Sequence, residues 1–252
     1  MSDSTFRFKQ FTVHQDKCAM KVGTDAVLLG SWIHPRLSRF ILDIGTGTGL
    51  LALMLAQKSF AGIDAIDIDE GAFFQATENI RTSPWFDRIY VYHQSFQDFI
   101  NGADKQYDLI VTNPPYFHHA SKPSIESRLN ARHDDQLTFL ELVNGVKKTL
   151  SPEGKFYLIL PFKEGMEFMD IAQAKGLFCH QLVRVKTKAD KQKKRLMMEY
   201  SKEFAIPVED EIIIHNEDCS FTEDYLNLTK DYYIGLKNLP AGRQGPNVLN
   251  AL

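Results

Sequence analysis

Between Phe40 and Leu160 the chain alternates short apolar runs with longer segments whose apolar residues return every three or four positions. Phe40-Ile41-Leu42-Asp43-Ile44 reads as a buried strand, and Leu50–Ala56 has the composition of a helix. Ile63–Asp69 is a second strand, Gly71–Arg81 a helix with Ala72, Ala76 and Ile80 at i+4 spacing, and Ile89–Tyr92 a third strand. Tyr107–Thr112 is a fourth. Asp135–Leu150 is a helix ended by the turn Ser151-Pro152-Glu153-Gly154, Lys155–Pro161 a fifth strand, and Glu164–Lys175 a helix closed by Gly176. After Leu177 the pattern becomes β: Phe178–Val185 and Leu196–Ala205 flank a basic turn and predict an antiparallel hairpin ending the sheet. Phe221–Tyr233 predicts a closing helix or turn. Residues 1–23 show no strong period; Thr24–Gly30 predicts a short helix with Thr24 or Asp25 as N-cap. Strand–helix alternation predicts an open α/β sheet of seven strands, parallel except at its terminal hairpin, with helices on both faces. The expected organisation is one domain over residues 1–239 with a short N-terminal extension (1–23), and a disordered tail over 240–252.

Composition narrows the class. At 44% hydrophobic and 24% charged, the chain is ordinary for a water-soluble α/β protein. The formal net charge of −3 means that any contact with a polyanion must come from a local patch. Cys18, Cys179 and Cys219 are far apart, which argues against a zinc ribbon or disulfide framework and for a reducing compartment. There is no signal-peptide pattern and no long apolar run, so a cytoplasmic protein without a membrane span is expected.

The chemistry collects where the strands end. Gly45-Thr46-Gly47-Thr48-Gly49 joins the first strand to its helix, and glycines there let a ligand approach the backbone. A dinucleotide fingerprint would carry glycine at position 50, where Leu50 stands. Asp43, just before the loop, is unwelcome near a pyrophosphate but suits an ammonium or sulfonium ligand, which points to S-adenosylmethionine (SAM). Asp67 lies at the spacing from which an acid grips a ribose, Asp69 and Glu70 open the next helix, and Asp64 reads as a solvated acid. After the third strand, Ser95 is placed to bond an adenine and Phe96 either to pack on it or to enter the core. The fourth strand runs into Asn113-Pro114-Pro115-Tyr116. Two prolines stiffen this backbone and push Asn113 out of the helical region. Asn113 Oδ1 and the Pro114 carbonyl can accept the two hydrogens of a planar amine, and Tyr116 can stack on its ring. The segment Phe117–Ala131 reads as a loop beside the site. Its His118-His119 pair has no third partner at metal-ligand spacing, so no metal is expected.

Taken together, the glycine loop, the acid after strand two and Asn-Pro-Pro-Tyr after strand four resemble the Rossmann-like class I SAM-dependent methyltransferases that act on amines. Phe8–Gln15, Met20-Lys21-Val22-Gly23-Thr24-Asp25, Leu28–Trp32, Ser83-Pro84-Trp85 and Lys194-Arg195 narrow the resemblance to the tRNA1(Val) adenine-37 N6-methyltransferase family. The resemblance implies that Asp43, Gly45, Gly47, Gly49 and Asp67 hold SAM, that Lys21, Thr24 and Asp25 sit near its methionine end, and that Asn113, Pro114 and Tyr116 hold the target amine. A tRNA is then the partner and the enzyme is expected to act as a monomer. Lys186, Lys188, Lys191, Lys193, Lys194 and Arg195, a net +5 with Asp190, are the expected tRNA-backbone contact, with Arg128 and Arg132 as further candidates. Three alternatives share the motifs. A glutamine-amide methyltransferase of proteins normally carries an N-terminal helical domain, and only about 40 residues precede strand one here. A methyltransferase of adenine N6 or guanine N2 in another nucleic acid would need its own sequence-reading element. A SAM-binding protein without catalysis would not need an intact Asn113-Pro114-Pro115-Tyr116.

Overall fold

Residues 5–18, 21–35, 37–102, 105–114 and 137–235 are described by a computed structural model of the chain. The core is an eight-stranded sheet built from β3 (Phe40–Ile44), β4 (Gly62–Asp67), β5 (Ile89–His93), β6 (Tyr107–Thr112), β7 (Leu150–Pro161), β8 (Phe178–Lys186), β9 (Lys193–Ser201) and β10 (Val208–Ile213). Its order is β10-β8-β9-β7-β6-β3-β4-β5. Strands β5, β4, β3, β6 and β7 run parallel, and β9 is antiparallel to both β7 and β8. The expectation of seven strands ending in a hairpin is corrected by one strand: β10 adds in parallel outside β8. Four of the six residues of β10 are exposed, which gives the polar run Val208-Glu209-Asp210-Glu211 no apolar alternation to betray a strand.

The helices are α1 (Thr24–Trp32), α2 (Leu50–Lys58), α3 (Glu70–Arg81), α4 (Phe96–Asn101), α5 (Phe139–Thr149), α6 (Phe162–Ala174) and α7 (Glu223–Thr229). Two apolar clusters divide the core. One gathers α1, α2 and the C-terminal tyrosines around Ile41, Ile63 and Leu109; the other gathers α4, α5 and α6 around Leu42, Ile110 and Phe156. Helices therefore cover both faces, as expected. The helix expected from Asp135 starts at Phe139, where Thr138 and Glu141 form a capping box. The turn expected at Ser151–Gly154 lies inside β7: the ladder shifts from Tyr107/Leu150 to Leu109/Lys155, and these residues form the irregularity. Helix α1 is capped by Gly23 without a side-chain bond, not by Thr24 or Asp25. Its last carbonyls are bound by Lys58 Nζ, at 3.0, 2.5 and 3.0 Å from the oxygens of Gly30, Ser31 and Ile33. A cation there suits a helix C-terminus, although burial lowers the Lys58 pKa to about 8.

Residues before α1 are folded too. β1 (Thr5–Arg7) and β2 (Thr12–His14) form a short hairpin. The chain then straps across α3, where Asn79 offers its amide as a surrogate strand: it accepts from His14 N at 2.8 Å and donates to His14 O at 2.9 Å. Gln75 Oε1 accepts from Lys17 N at 2.8 Å, and Gly71 lets the Lys17 carbonyl lie where a Cβ would come within 2.6 Å. The far end of the hairpin is tied to the C-terminal segment, through Lys9 N donating to Tyr232 O at 2.8 Å and a bridge between Phe8 and Tyr233. The expected tail at 240–252 lies outside the described residues.

Candidate active site

Ile44 lies opposite both Ile66 and Thr112. The ends of β3, β4 and β6 are therefore level, and Gly45, Asp67 and Asn113 stand side by side at the carboxyl edge of the sheet. Ligands of open α/β sheets bind at this edge.

The glycine loop has the conformation its sequence demands. Gly45, Gly47 and Gly49 have φ of 68°, 57° and 81°. A Cβ on Gly45 would be strained by φ alone and would point into open space, since nothing lies within 4 Å. The loop backbone is pinned beneath: Gly45 N and Thr46 N donate to Ile66 O at 2.9 and 3.0 Å. Asn79 Nδ2 also donates to Thr48 O at 2.8 Å, so one amide joins the loop, α3 and the N-terminal strap. Cys18, on that strap, approaches Gly47, with its Sγ 3.9 Å from where a Cβ would sit.

Two acids back the loop. Asp43 is fully buried; its Oδ2 accepts from Thr46 Oγ1 at 2.6 Å and Ala52 N at 3.2 Å, while Oδ1 has no partner. Burial, opposed by those two bonds and reinforced by the charge of Asp67, lifts its pKa from 3.8 to about 7. Asp67 is half-buried, accepting from Gly47 N through Oδ2 at 2.8 Å and from Asp69 N through Oδ1 at 2.9 Å; burial raises its pKa. The carboxylate keeps acceptor capacity for a ligand. Asp69 caps α3, accepting from Ala72 N at 2.7 Å. Ile68 between them is 49% exposed, an apolar face just beyond Asp67 that the sequence reading missed. Its signal was an isoleucine between two acids at a strand end, matched to no core position.

Asn113 is half-buried and Pro114 buried, directly beyond β6, whose end is locked to β3 by Thr112 Oγ1 donating to Ile44 O at 2.8 Å. Tyr116, Arg128 and Arg132 lie outside the described residues. Lys21 is exposed and Thr24 half-buried, both on the strap side. Ser95 has a structural role of its own. It caps α4, accepting from Asp98 N at 3.1 Å and donating to Asp98 Oδ2 at 2.7 Å. Phe96 enters the core, against the helix α5 backbone at Gly145. Asp64 is buried rather than solvated, held by Tyr107 Oη and Lys105 Nζ, each at 2.6 Å.

The basic run is also at this edge, since Arg195 lies opposite Pro161, the last residue of β7. Its charge is less free than its sequence implies. Lys186 pairs with Glu211 of β10 at 3.0 Å, Arg195 with Asp25 at 2.6 Å, and Lys188 Nζ reaches Glu217 O at 3.1 Å. Exposed Lys191 pairs with neighbouring Asp190 at 3.2 Å, and Lys193 and Lys194 are exposed. A cavity of about 260 Å³ lined by His34, Ser38, Asp108 and Lys155 opens at the other end of β6 and shares none of these groups. Among the described residues no group of three or more His, Cys, Asp or Glu is placed to hold a metal, and no helix is long and apolar enough to cross a membrane.

Residues 17–182 match the methyltransferase small domain family. The tRNA1(Val) (adenine(37)-N6)-methyltransferase of Trichodesmium erythraeum is 44% identical over 93% of this chain and 99% of its own length. The enzyme of the same name from Flavobacterium johnsoniae is 44% identical over 91% and 99%. The chain belongs to the tRNA1(Val) (adenine(37)-N6)-methyltransferase family. Among solved structures, a predicted O-methyltransferase from Agrobacterium tumefaciens shares the fold with a TM-score of 0.64 at 16% identity, covering 82% of this chain and 96% of that one. A ribosomal protein L11 methylase from Lactobacillus delbrueckii does so at 0.54 and 13%, covering 79% and 100%. The fold is that of the Rossmann-like methyltransferases, and the family's sheet here carries β10 as an eighth strand.

Proposed function

We propose that this protein transfers a methyl group from SAM to the N6 amine of an adenine in tRNA, at position 37 of a valine tRNA, the reaction that the names of its relatives state for them. The supporting observation is the convergence of the glycine loop, Asp67 and Asn113-Pro114 beyond three level strand ends. The residues suit the cofactor. Asp67 takes the ribose hydroxyls, Ile68 covers a face of the adenine, the open backbone at Gly45 and Gly47 admits the methionine portion, and Asp43 opposes its positive charge from behind the loop. Lys21, Thr24 and Asp25 border that end. When bound, SAM supplies a methyl group already activated by its sulfonium.

The protein's own task is then the nucleophile. An adenine N6 lone pair is delocalised into the ring. Asn113 Oδ1 and the Pro114 carbonyl accept the two N6 hydrogens and draw the nitrogen toward a tetrahedral geometry with its lone pair free. Both acceptors sit on a backbone that Pro114 and Pro115 hold stiff, so most of the rate comes from orientation. Tyr116 stacks on the base, which contributes about 1–3 kcal/mol, and a base in a loop costs less to extract than a paired one. Lys191, Lys193 and Lys194 take the phosphates.

The test is methylation of a valine tRNA transcript with purified protein, read by mass spectrometry of its nucleosides. N6-methyladenosine is expected, and is expected to vanish when adenine 37 is replaced by guanine. Asn113→Ala should lower kcat by about a hundredfold or more with SAM affinity retained. Methylation of a protein glutamine instead, or an Asn113 variant that loses SAM but turns over normally once saturated, would overturn the reading.

A further inference from the structure

Arg195 belongs by sequence to the basic run, and Asp25 to the cofactor side. The fold joins them: Arg195 Nε donates to Asp25 Oδ2 at 2.6 Å across 170 residues of sequence, with the side chains only 21% and 27% exposed. Arg195 Nη1 also bonds the carbonyl of Lys194 at 3.0 Å, which fixes the guanidinium against its own strand. The partner needs holding. Asp25 lies in the first turn of α1, just after the strap that covers Gly47. That turn has no side-chain cap, and Val27 N reaches Gly23 O only at 3.4 Å. Arg195 itself is anchored between β7 and β8, opposite Pro161 and Val185.

We propose that Arg195 is a positioning residue for the cofactor pocket: through Asp25 it holds the first turn of α1 against the rigid end of β9, and it is not one of the phosphate contacts. The inference rests on the methyltransferase reading of this edge. It separates Arg195 from Lys191, Lys193 and Lys194, which differ from it in being exposed.

The experiment compares wild type with Arg195→Met, Arg195→Lys, Asp25→Asn and the double variant Arg195→Met/Asp25→Asn. SAM affinity is measured by calorimetry and tRNA affinity across a salt series, with circular dichroism to confirm that each variant is folded. Arg195→Met should weaken SAM about fivefold or more, in the range of coupling between contacting residues. Arg195→Lys, which keeps the charge, should recover most of that loss. The double variant should be no worse than Asp25→Asn alone. The slope of log K for tRNA against log salt should stay at the wild-type value, whereas removal of a phosphate-binding cation would reduce it by about 0.7–0.9. A slope reduced by that amount, unchanged SAM affinity in Arg195→Met, or additive losses in the double variant would each overturn the inference. Wild-type protein that neither binds SAM nor methylates tRNA would instead sink the functional reading on which it rests. An active wild type with a normal Arg195→Met sinks the inference alone.

Discussion

Replacing Asp43 with Asn isolates what a buried acid costs a methyltransferase before its cofactor arrives. Asp43 is fully enclosed, one oxygen bonded to Thr46 and Ala52 and the other unpartnered. Its pKa stands at about 7 in the folded protein, mainly through burial, against 3.8 ordinarily. Between those values the unfolded chain has released the proton and the folded one retains it, so the unfolded state binds fewer protons and stability falls as pH rises. The contribution is fully present below 3.8 and is lost once pH has risen through about 7. A shift of about three units at ~1.4 kcal/mol each amounts to about 4 kcal/mol. Asn reproduces the neutral acid: its oxygen can take the bonds from Thr46 and Ala52, and its NH2 stands where the acid's unpartnered oxygen was. The Asp43→Asn variant should therefore exceed wild type by about 1.5 kcal/mol near pH 5 and by about 4 kcal/mol near pH 8 in urea unfolding without cofactor. SAM affinity should move the other way. Wild type should bind SAM more tightly as pH rises through about 7, while the variant should bind weakly at every pH. Unfolding curves for the two proteins that shift together with pH would show that Asp43 is not held neutral and would refute this account of it.

Further outcomes follow from the same edge of the sheet. Asp67→Ala should reduce SAM affinity by at least tenfold, because it removes both the proposed ribose acceptor and the bond to Gly47 N. Asp69→Ala should leave SAM affinity near wild type and cost about 1 kcal/mol of stability through loss of the α3 cap; calorimetry showing equal losses would refute the assignment. Replacing Lys191, Lys193 and Lys194 by Ala should lower the salt slope of tRNA binding by about 0.7–0.9 for each phosphate left without its cation. Lys186→Ala should leave that slope unchanged, since Lys186 is already paired with Glu211. A filter-binding series in which the triple variant keeps the wild-type slope would reduce the hairpin tip to a solvated face.

What the sequence revealed is what depends on neighbours along the chain. The strand–glycine–helix unit from Phe40 to Lys58 was readable because apolar runs and glycines at forced φ are local signals. The same is true of Asp69 at the start of its helix. What escaped it depends on neighbours in space. Asp64 looks like any surface acid until β6 brings Tyr107 and Lys105 to it. Lys186 and Arg195 read as free charge because Glu211 and Asp25 are remote in sequence. The cap that Ser95 makes on α4 was not read, because α4 is too short for its period to be seen and the bonded Asp98 is three residues on. The strands β1 and β2, three residues each, carry too few positions to show alternation.

The order in which the ribosome delivers the chain gives the N-terminal strap a second meaning. Residues 8–18 are made before the sheet, yet the strap's outer end is fastened by Tyr232 and Tyr233, which are made after it. A growing chain can complete β3 to β7, and with them both acids, the glycine loop and Asn113, while this clasp is still open. A chain cut short before Tyr232 would thus carry the glycine loop, both acids and Asn113 without the contacts that fasten the outer end of the strap.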